Sequence, residues 1–350
     1  MIAIYKKIKT LSKVFGFKFS YLLVPLVYGL YKIILHLFFG IDYVFFHLNI
    51  KRTKIVKPIF LIGHPRSGTT FIHRFILSNN LQLKGNQLWE MIYSAISLRK
   101  ILKPFLPKMN AIFLKRNGYN AAIHETGLIH AETDDAAIMF RYFDGLLPFL
   151  YFDAWKKYKS DDELIQALNQ HVGTKKHQKY LTRFYKRGLN NTNKRIFSKT
   201  FSGILYIDEL INNYTDSKIL IIIRNREEVI PSSLSLVKSM LSNFIDFKKI
   251  DEQKKQIFYK NILVVSKYYY SRLNEIIRNE KYKSFVFPIN YIDLKSNFVT
   301  TMTRIYKFCE LELNDSALKE IETQAEKQKH HKSKHVYSLE EFGLSNDLLY

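Results

Sequence analysis

Residues 58–78 limit what this chain can fold into more than any other stretch. Pro58-Ile-Phe-Leu-Ile-Gly63 is a short apolar run closed by a glycine, the pattern of a buried strand. Gly63-His-Pro-Arg-Ser-Gly-Thr-Thr70 follows, and Thr69 to Ser78 has helical spacing. In a strand–loop–helix of this kind, backbone N–H groups and the positive end of the helix dipole converge on one point, which suits an anion. Glycines 63 and 68 let the backbone wrap a phosphate, Ser67, Thr69 and Thr70 add hydroxyl donors, and Arg66 adds charge. A plain glycine turn with a surface Arg-Ser pair is the competing reading; the flanking strand and helix speak against it.

The rest of the chain repeats the alternation. Arg195-Ile-Phe-Ser-Lys199 and Lys218-Ile-Leu-Ile-Ile-Ile-Arg224 read as strands, the second almost wholly apolar, as at the centre of a parallel sheet covered on both faces. Phe285-Val-Phe-Pro-Ile289 is a weaker strand that Pro288 confines to an end or edge. Helical stretches are expected at 86–116, 161–188, 204–213, 227–243, 251–280 and 297–310. The expected fold class is therefore α/β: a P-loop-like, three-layer parallel sheet flanked by helices. With no repeats and no Gly/Ser linker, residues 57–350 read as one domain and 1–56 as an N-terminal appendage. Hydrophobic residues make up 47% of the 350, which supports a sizeable core and excludes a disordered basic tail protein. The single cysteine, Cys309, excludes an intrachain disulfide and a cysteine zinc cluster, and suits a reducing compartment.

The appendage has its own character. Lys6, Lys7, Lys9 and Lys13 precede an apolar stretch from about Phe19 to Leu48, interrupted by Pro25, Gly29, Lys32, His36 and Asp42. A clean span wants roughly 20 uninterrupted apolar residues, and Lys32 sits near the middle of this one. No small-residue cleavage site follows, which argues against a secretory signal. Three readings stand open: a helical hairpin packed on the domain or feeding a substrate tunnel, an interfacial anchor with basic residues on lipid phosphates, and a single span.

Lys+Arg 54 against Asp+Glu 31 leaves a net charge of +23, so anionic partners are expected. ATP hydrolysis is not the natural use of the loop. The Walker pattern places lysine after the second glycine; here Thr69 holds that position and the cation has moved back to Arg66. The identified strand ends also finish in Lys199 and Arg224, where an NTPase would need a magnesium-holding carboxylate.

At this point the chain resembles the sulfotransferase family that uses 3′-phosphoadenosine 5′-phosphosulfate (PAPS). Pro65-Arg-Ser-Gly-Thr-Thr70 matches the family's first signature, P-[KR]-S-G-T-T, and Ile219-Leu-Ile-Ile-Ile-Arg224 with Ser232 eight residues on matches the second. The resemblance implies that Arg224 and Ser232 hold the 3′-phosphate. Independently, an arginine at a strand's carboxyl end beside Ser232 and Ser233 suits a dianion. Tyr291-Ile-Asp-Leu resembles the family's "Y-E-D-L" segment, and His335-Val-Tyr-Ser-Leu-Glu-Glu-Phe-Gly-Leu344 resembles the end of a mainly bacterial branch. Ser338-x-x-Glu341 reads as a capping box. Lys327, Lys329, Lys332 and Lys334 with His330, His331 and His335 form a basic loop that either folds over the nucleotide, Lys334 being the cofactor-binding candidate, or is a solvated surface. The loop candidates for the nucleotide are His64, Pro65, Arg66, Ser67, Gly68, Thr69 and Thr70.

Sulfuryl transfer needs cations near the bridging oxygen and a base at the acceptor hydroxyl. Arg66 is one cation. Lys199 is the other by resemblance, since cytosolic family members carry a K-T-H lysine here that contacts the leaving phosphate. Their basic histidine is replaced by Phe201, which cannot take a proton. The bacterial branch has an acidic cluster, matched by His130-Ala-Glu-Thr-Asp-Asp-Ala-Ala137, so Asp134 and Asp135, with Glu132 third, are the base candidates and His64 a second-rank one. Acids favouring a helix N-terminus explain the same segment. His124 and His130 lack helical zinc spacing, so no metal is assigned.

The aromatic stretch Met139–Trp155, the apolar N-terminus and the positive charge favour a small-molecule or lipid acceptor with a free hydroxyl, lipophilic rather than a soluble polysaccharide. An anionic membrane surface is a further expected partner, while no nucleic-acid recognition motif is present. A P-loop kinase, or a non-catalytic nucleotide- or membrane-binding protein on the same fold, are the alternatives. The expected location is the prokaryotic cytoplasm with the N-terminus at the membrane. A type II membrane protein is the alternative, and chance accounts for the sequons at Asn190, Asn213 and Asn314 in an asparagine-rich chain.

Overall fold

The computed structural model describes residues 2–116, 126–242, 246–329 and 338–349. Along the chain run α1 (Ile2–Phe15), α2 (Ser20–Arg52), β1 (Ile59–Gly63), α3 (Thr69–Ser78), β2 (Leu83–Lys84), α4 (Leu88–Ile92), α5 (Ile96–Leu102) and α6 (Leu106–Arg116). Then follow α7 (Asp135–Tyr142), α8 (Leu146–Phe152), α9 (Asp161–His171), α10 (Lys175–Gly188), β3 (Arg195–Thr200), α11 (Ile207–Asn213), β4 (Lys218–Ile223) and α12 (Arg226–Ser242). The last elements are α13 (Glu252–Arg278), β5 (Val286–Asn290), α14 (Tyr291–Ser296), α15 (Phe298–Phe308) and α16 (Asp315–Lys329). They fall into two compact units, one of residues 55–85, 193–235 and 266–350, the other of residues 1–54, 86–192 and 236–265.

The first unit holds the expected parallel sheet, in the order β2-β3-β1-β4-β5. Central β1 pairs with β3, Leu61 opposite Lys199, and with β4, Leu61 opposite Leu220. Burial on both faces explains the apolar runs: Ile59 and Leu61 face a core shared with Ile72 and Ile76 of α3, Met302 and Ile305 of α15 and Ile321 of α16. Phe60, on the alternate side, packs against Tyr214 at 5.5 Å between ring centres. Each such fully buried aliphatic side chain contributes roughly 1.5–3 kcal/mol. Pro288 sits on β5, the edge strand, where its missing N–H breaks no inner ladder.

Several expected boundaries shift. Lys199 lies inside β3, which continues to Thr200, and Arg224 stands just beyond β4. The stretch 86–116 forms short pieces, interrupted at 93–95 and by a 3-10 turn at Lys103–Phe105 that holds Pro104, and 161–188 is broken at Gly173, after which Thr174 accepts from the His177 amide to start α10. Strand β2 was not expected. Neither was α16, whose N-terminus Asn314 caps by accepting from the Ala317 amide at 2.9 Å. The capping box at Ser338 is also corrected. A single 3-10 turn at Glu340–Phe342 forms instead, and the Ser338 hydroxyl bonds Glu340, holding that carboxyl below its ordinary range. Lys334, with His330, His331, Lys332 and His335, lies outside the described residues.

The second unit is helical. The apolar stretch expected at 19–48 is one continuous helix, α2, rather than a hairpin. Pro25 falls near its start, and the long Leu/Ile/Phe runs outweigh glycines 29 and 40, each costing about 1 kcal/mol. By length and composition α2 could cross a membrane. Helix α1 is fastened by an ion pair from buried Lys7 to Asp153, which also pairs with Lys156. The aromatic stretch 139–155 packs largely into this unit's core, with Phe149 buried and Trp155 stacked on Phe258 at 3.9 Å.

Candidate functional site

The loop between β1 and α3 is tightly wound. The Ser67 amide donates to the His64 carbonyl at 3.0 Å, Arg66 is held at φ 74 and Gly68 at φ 97. A Cβ on Gly63 would lie 2.6 Å from Ser67 Oγ and 2.7 Å from Thr69 Cγ2, so only glycine allows the turn to close. Gly68 caps α3 without a side-chain bond. The first amides of α3 therefore have no partner within the helix and face outward along its dipole. Ser67 Oγ is buried with no hydrogen-bond partner, and a buried hydroxyl left in that state signals a missing acceptor or donor.

Three cations belong to this loop or adjoin it. Arg66 Nε donates to Ser232 Oγ on α12 at 3.0 Å. Arg224 Nη1 donates to the Arg66 carbonyl at 3.1 Å, while its Nε and Nη2 both donate to Glu228 Oε2 at 3.0 and 2.8 Å. Buried Lys199 Nζ donates to Thr70 Oγ1 at 3.1 Å and lies 5.7 Å from the Phe201 ring centre. The structure thus brings together the loop, Arg224, Ser232 and Lys199. Positive charge beside the first amides of a helix and an orphan hydroxyl suits an anion.

Further residues complete the arrangement, Tyr270 and Tyr291 without a role expected from sequence. The Tyr291 ring lies under the Arg224 guanidinium at 4.1 Å and would be 3.1 Å from a Cβ on Gly68. Tyr270 Oη donates to the Arg224 carbonyl at 2.9 Å, and Ser233 Oγ donates to the Pro65 carbonyl at 2.9 Å. Tyr291 could have been found, since it opens the Tyr-Ile-Asp-Leu segment; nothing in the sequence marks Tyr270.

His64 has become a strut. Its Nδ1 faces the Pro65 carbonyl at 3.0 Å, which can only accept, so Nδ1 carries the proton and Nε2 faces Ser266 Oγ at 3.1 Å. Burial pushes its pKa down to about 4, partly offset by the Pro65 bond. A neutral imidazole with that basicity takes up protons poorly near pH 7.

The acidic segment belongs to the helical unit. Its strand-like start pairs with 86–87: Glu132 N donates to the Asn86 carbonyl, and Ala131 bridges Gln87. Asp134 Oδ1 accepts from Asn86 Nδ2 at 3.0 Å, Asp135 Oδ2 from Thr133 Oγ1 at 2.6 Å, and Glu132 Oε1 from Thr126 Oγ1 at 3.1 Å. All three carboxylates are buried. Asp135 opens α7 and Asp134 occupies its N-cap position without making a side-chain cap bond, so the dipole of α7 favours their charge. His124 lies outside the described residues.

Residues 58–315 match the family model described as "Sulfotransferase family". Two solved structures resemble the chain. Sulfotransferase STF1 from Mycobacterium tuberculosis H37Rv is 16% identical with a TM-score of 0.70, over 99% of this chain and 88% of its own. Sulfotransferase STF9 from Mycobacterium avium is 16% identical with a TM-score of 0.67, over 88% of this chain and 78% of its own. At that identity the likeness speaks for the fold. No curated protein matches the chain.

Proposed function

The chain belongs to the sulfotransferase family, and from that premise we propose that it moves the sulfuryl group of PAPS to a hydroxyl of a lipophilic or lipid-linked acceptor. The observation that carries the choice of donor is the meeting of Arg66, Arg224 and Ser232, which assembles cationic and hydroxyl donors beside the phosphate loop. A 3′-phosphate would take Arg224 and Ser232. A 5′-phosphate would take the α3 amides with Ser67, Thr69 and Thr70.

PAPS supplies an activated sulfuryl group. The S–O bond to the phosphate breaks as the acceptor oxygen bonds to sulfur. Arg66 and Lys199 stabilise the negative charge that grows on the phosphate side. The acceptor's proton goes to a carboxylate of the 132–135 segment, with Asp134 first choice, because Phe201 offers no basic atom. The exposed apolar surface of the N-terminal segment supports the lipophilic acceptor. Cytoplasmic residence with the N-terminal segment at a membrane belongs to the same reading, with a type II membrane protein as its alternative.

The test is calorimetric titration with 3′-phosphoadenosine 5′-phosphate against ATP, each with and without magnesium. Metal-independent preference for the 3′-phosphorylated nucleotide, lost in Arg224→Ala, is expected. Magnesium-dependent preference for ATP would sink the proposal.

A further inference from the structure

Helix α2 is built inside out. Tyr28, Lys32, Leu35, Phe39 and Asp42 recur at intervals of three and four on the side that packs against its own unit. Both charges between Phe19 and Leu48 lie on that side. Lys32 Nζ and Tyr28 Oη donate to the Arg141 carbonyl at 2.7 and 3.0 Å, and Tyr31 Oη donates to the Ile92 carbonyl at 2.7 Å. Asp42, 1% exposed, accepts from the amides of Ile96 and Ser97 at 2.8 and 2.9 Å and so caps α5. The opposite side presents Leu26, Leu30, Ile33, Leu37, Val44 and Leu48, each 59–74% exposed. A surface helix in water has the reverse arrangement. The stripe from Leu26 to Leu48 runs about 33 Å at 1.5 Å per residue, and contiguous exposed apolar surface of this kind marks an interaction site.

We propose that this outward face of α2 docks the protein in the plane of one leaflet of an anionic membrane, without spanning it. This deepens the membrane association proposed above and rests on it. Charge selects the occupant. Residues 1–54 and 86–116 of this unit carry 15 Lys/Arg against two acids, Asp42 and Glu90, and both acids are buried. Exposed Lys18 stands at one end of the stripe and exposed Lys51, Arg52 and Lys54 at the other, with Lys100 and Lys103 on the neighbouring segment. Such a rim meets lipid phosphates favourably, whereas a second copy would bring the same positive surplus against it.

Length and anchoring decide the mode. The fastened positions 28–42 cover about 21 Å of helix at 1.5 Å per residue. That is most of a hydrocarbon core of about 30 Å. A spanning helix would need lipid around it over that length, yet there Lys32 and Asp42 bond to the protein's own chain. Lying flat, the outward leucines sink roughly 5–10 Å into the leaflet and the inner charges keep their partners.

The test is co-sedimentation of the full chain with vesicles of phosphatidylcholine alone and with roughly a third phosphatidylglycerol. Binding to the anionic vesicles, weakened by salt and released by alkaline carbonate, is expected. Leu30→Asp/Leu37→Asp should lower binding at least about tenfold, and Lys51→Gln/Arg52→Gln about tenfold on anionic vesicles. Far-UV circular dichroism with thermal unfolding, run on each variant, reports folding, and titration with 3′-phosphoadenosine 5′-phosphate is run on the parent chain. Where the aspartates impair folding, Leu30→Ser/Leu37→Ser replaces them and should show the same loss. Three results would overturn the inference: unchanged binding by the leucine variants, retention through the carbonate wash, or a lipid-free dimer that those variants split and that ignores vesicles. A chain that binds vesicles as described but no nucleotide would uphold the docking and remove the donor proposed above.

Discussion

Arg66 Nε donates to Ser232 Oγ at 3.0 Å, joining the phosphate loop to the helix after the arginine-ended strand across 166 residues of sequence. On the proposed reading the serine has two tasks, holding the loop arginine and offering its own hydroxyl to the 3′-phosphate. Ser232→Ala should weaken 3′-phosphoadenosine 5′-phosphate about tenfold, as expected for a hydrogen bond to a charged group. A double-mutant cycle with Arg66→Ala should be non-additive. Additive losses would mean that the two side chains act separately.

Arg224 spends two of its donors on Glu228, a carboxylate 57% exposed. A dianion arriving at Arg224 must compete with it. Glu228→Gln should tighten nucleotide binding a few-fold, read by calorimetry. Weaker binding would show instead that Glu228 positions the guanidinium.

Lys199 is 1% exposed and reaches Thr70. Lys199→Met keeps the stem and removes the charge. Turnover should drop on the order of a hundredfold, with a smaller loss in nucleotide affinity, because growing charge is stabilised most in the transition state. Equal losses in both would place the lysine in ground-state binding alone.

Asp134→Asn should abolish sulfuryl transfer while 3′-phosphoadenosine 5′-phosphate still binds. It also sets an amide against Asn86, its present donor, so a loss of about 1–3 kcal/mol in stability should accompany it. Asp135→Asn and Glu132→Gln, run in parallel, identify the base if Asp134→Asn keeps its turnover.

His64 links stability to pH. Its folded pKa of about 4 lies below the unfolded value of 6.5, so the unfolded chain binds the extra proton. The stability contributed is whole above about pH 6.5 and is lost as pH falls towards 4, amounting to about 3 kcal/mol in all. Denaturant titrations across that window should show a shallower slope in His64→Gln. A wild type whose stability is flat between these values would refute the buried neutral imidazole.

Much of this was legible because it is local. The run Ile59–Gly63, the glycines at 63 and 68 and the hydroxyls of 67–70 lie within a dozen residues, so pattern alone exposes the strand, the turn and the helix start. The apolar Ile219–Ile223 run marked a strand covered on both faces, and Pro288 marked an edge. Lys199, Arg224 and Ser232 stand out in sequence through resemblance to a family pattern, and the structure brings all three beside the loop. Short elements escape: β2 has two residues, too few to show a period, and α16 begins at Asp315, directly after its capping Asn314, which in sequence reads only as part of a sequon.

Side-chain partners were not legible. Burial of His64 against Pro65 and Ser266, and the pairing of Asp134 with Asn86, depend on groups brought near by folding. Tyr291 was read as one letter of a segment, yet its ring backs Arg224.

The sequence by itself determined the glycine turn after β1, the alternation of strands and helices and the apolar, basic start of the chain, because each is a periodicity or a short turn written in consecutive residues. Only the tertiary structure decided that Lys32 and Asp42 face inward from α2, that Ser67 Oγ is left without a partner and that Arg66 meets Ser232. Orientation and hydrogen-bond satisfaction are properties of packed surfaces, and no stretch of sequence contains both sides of a contact.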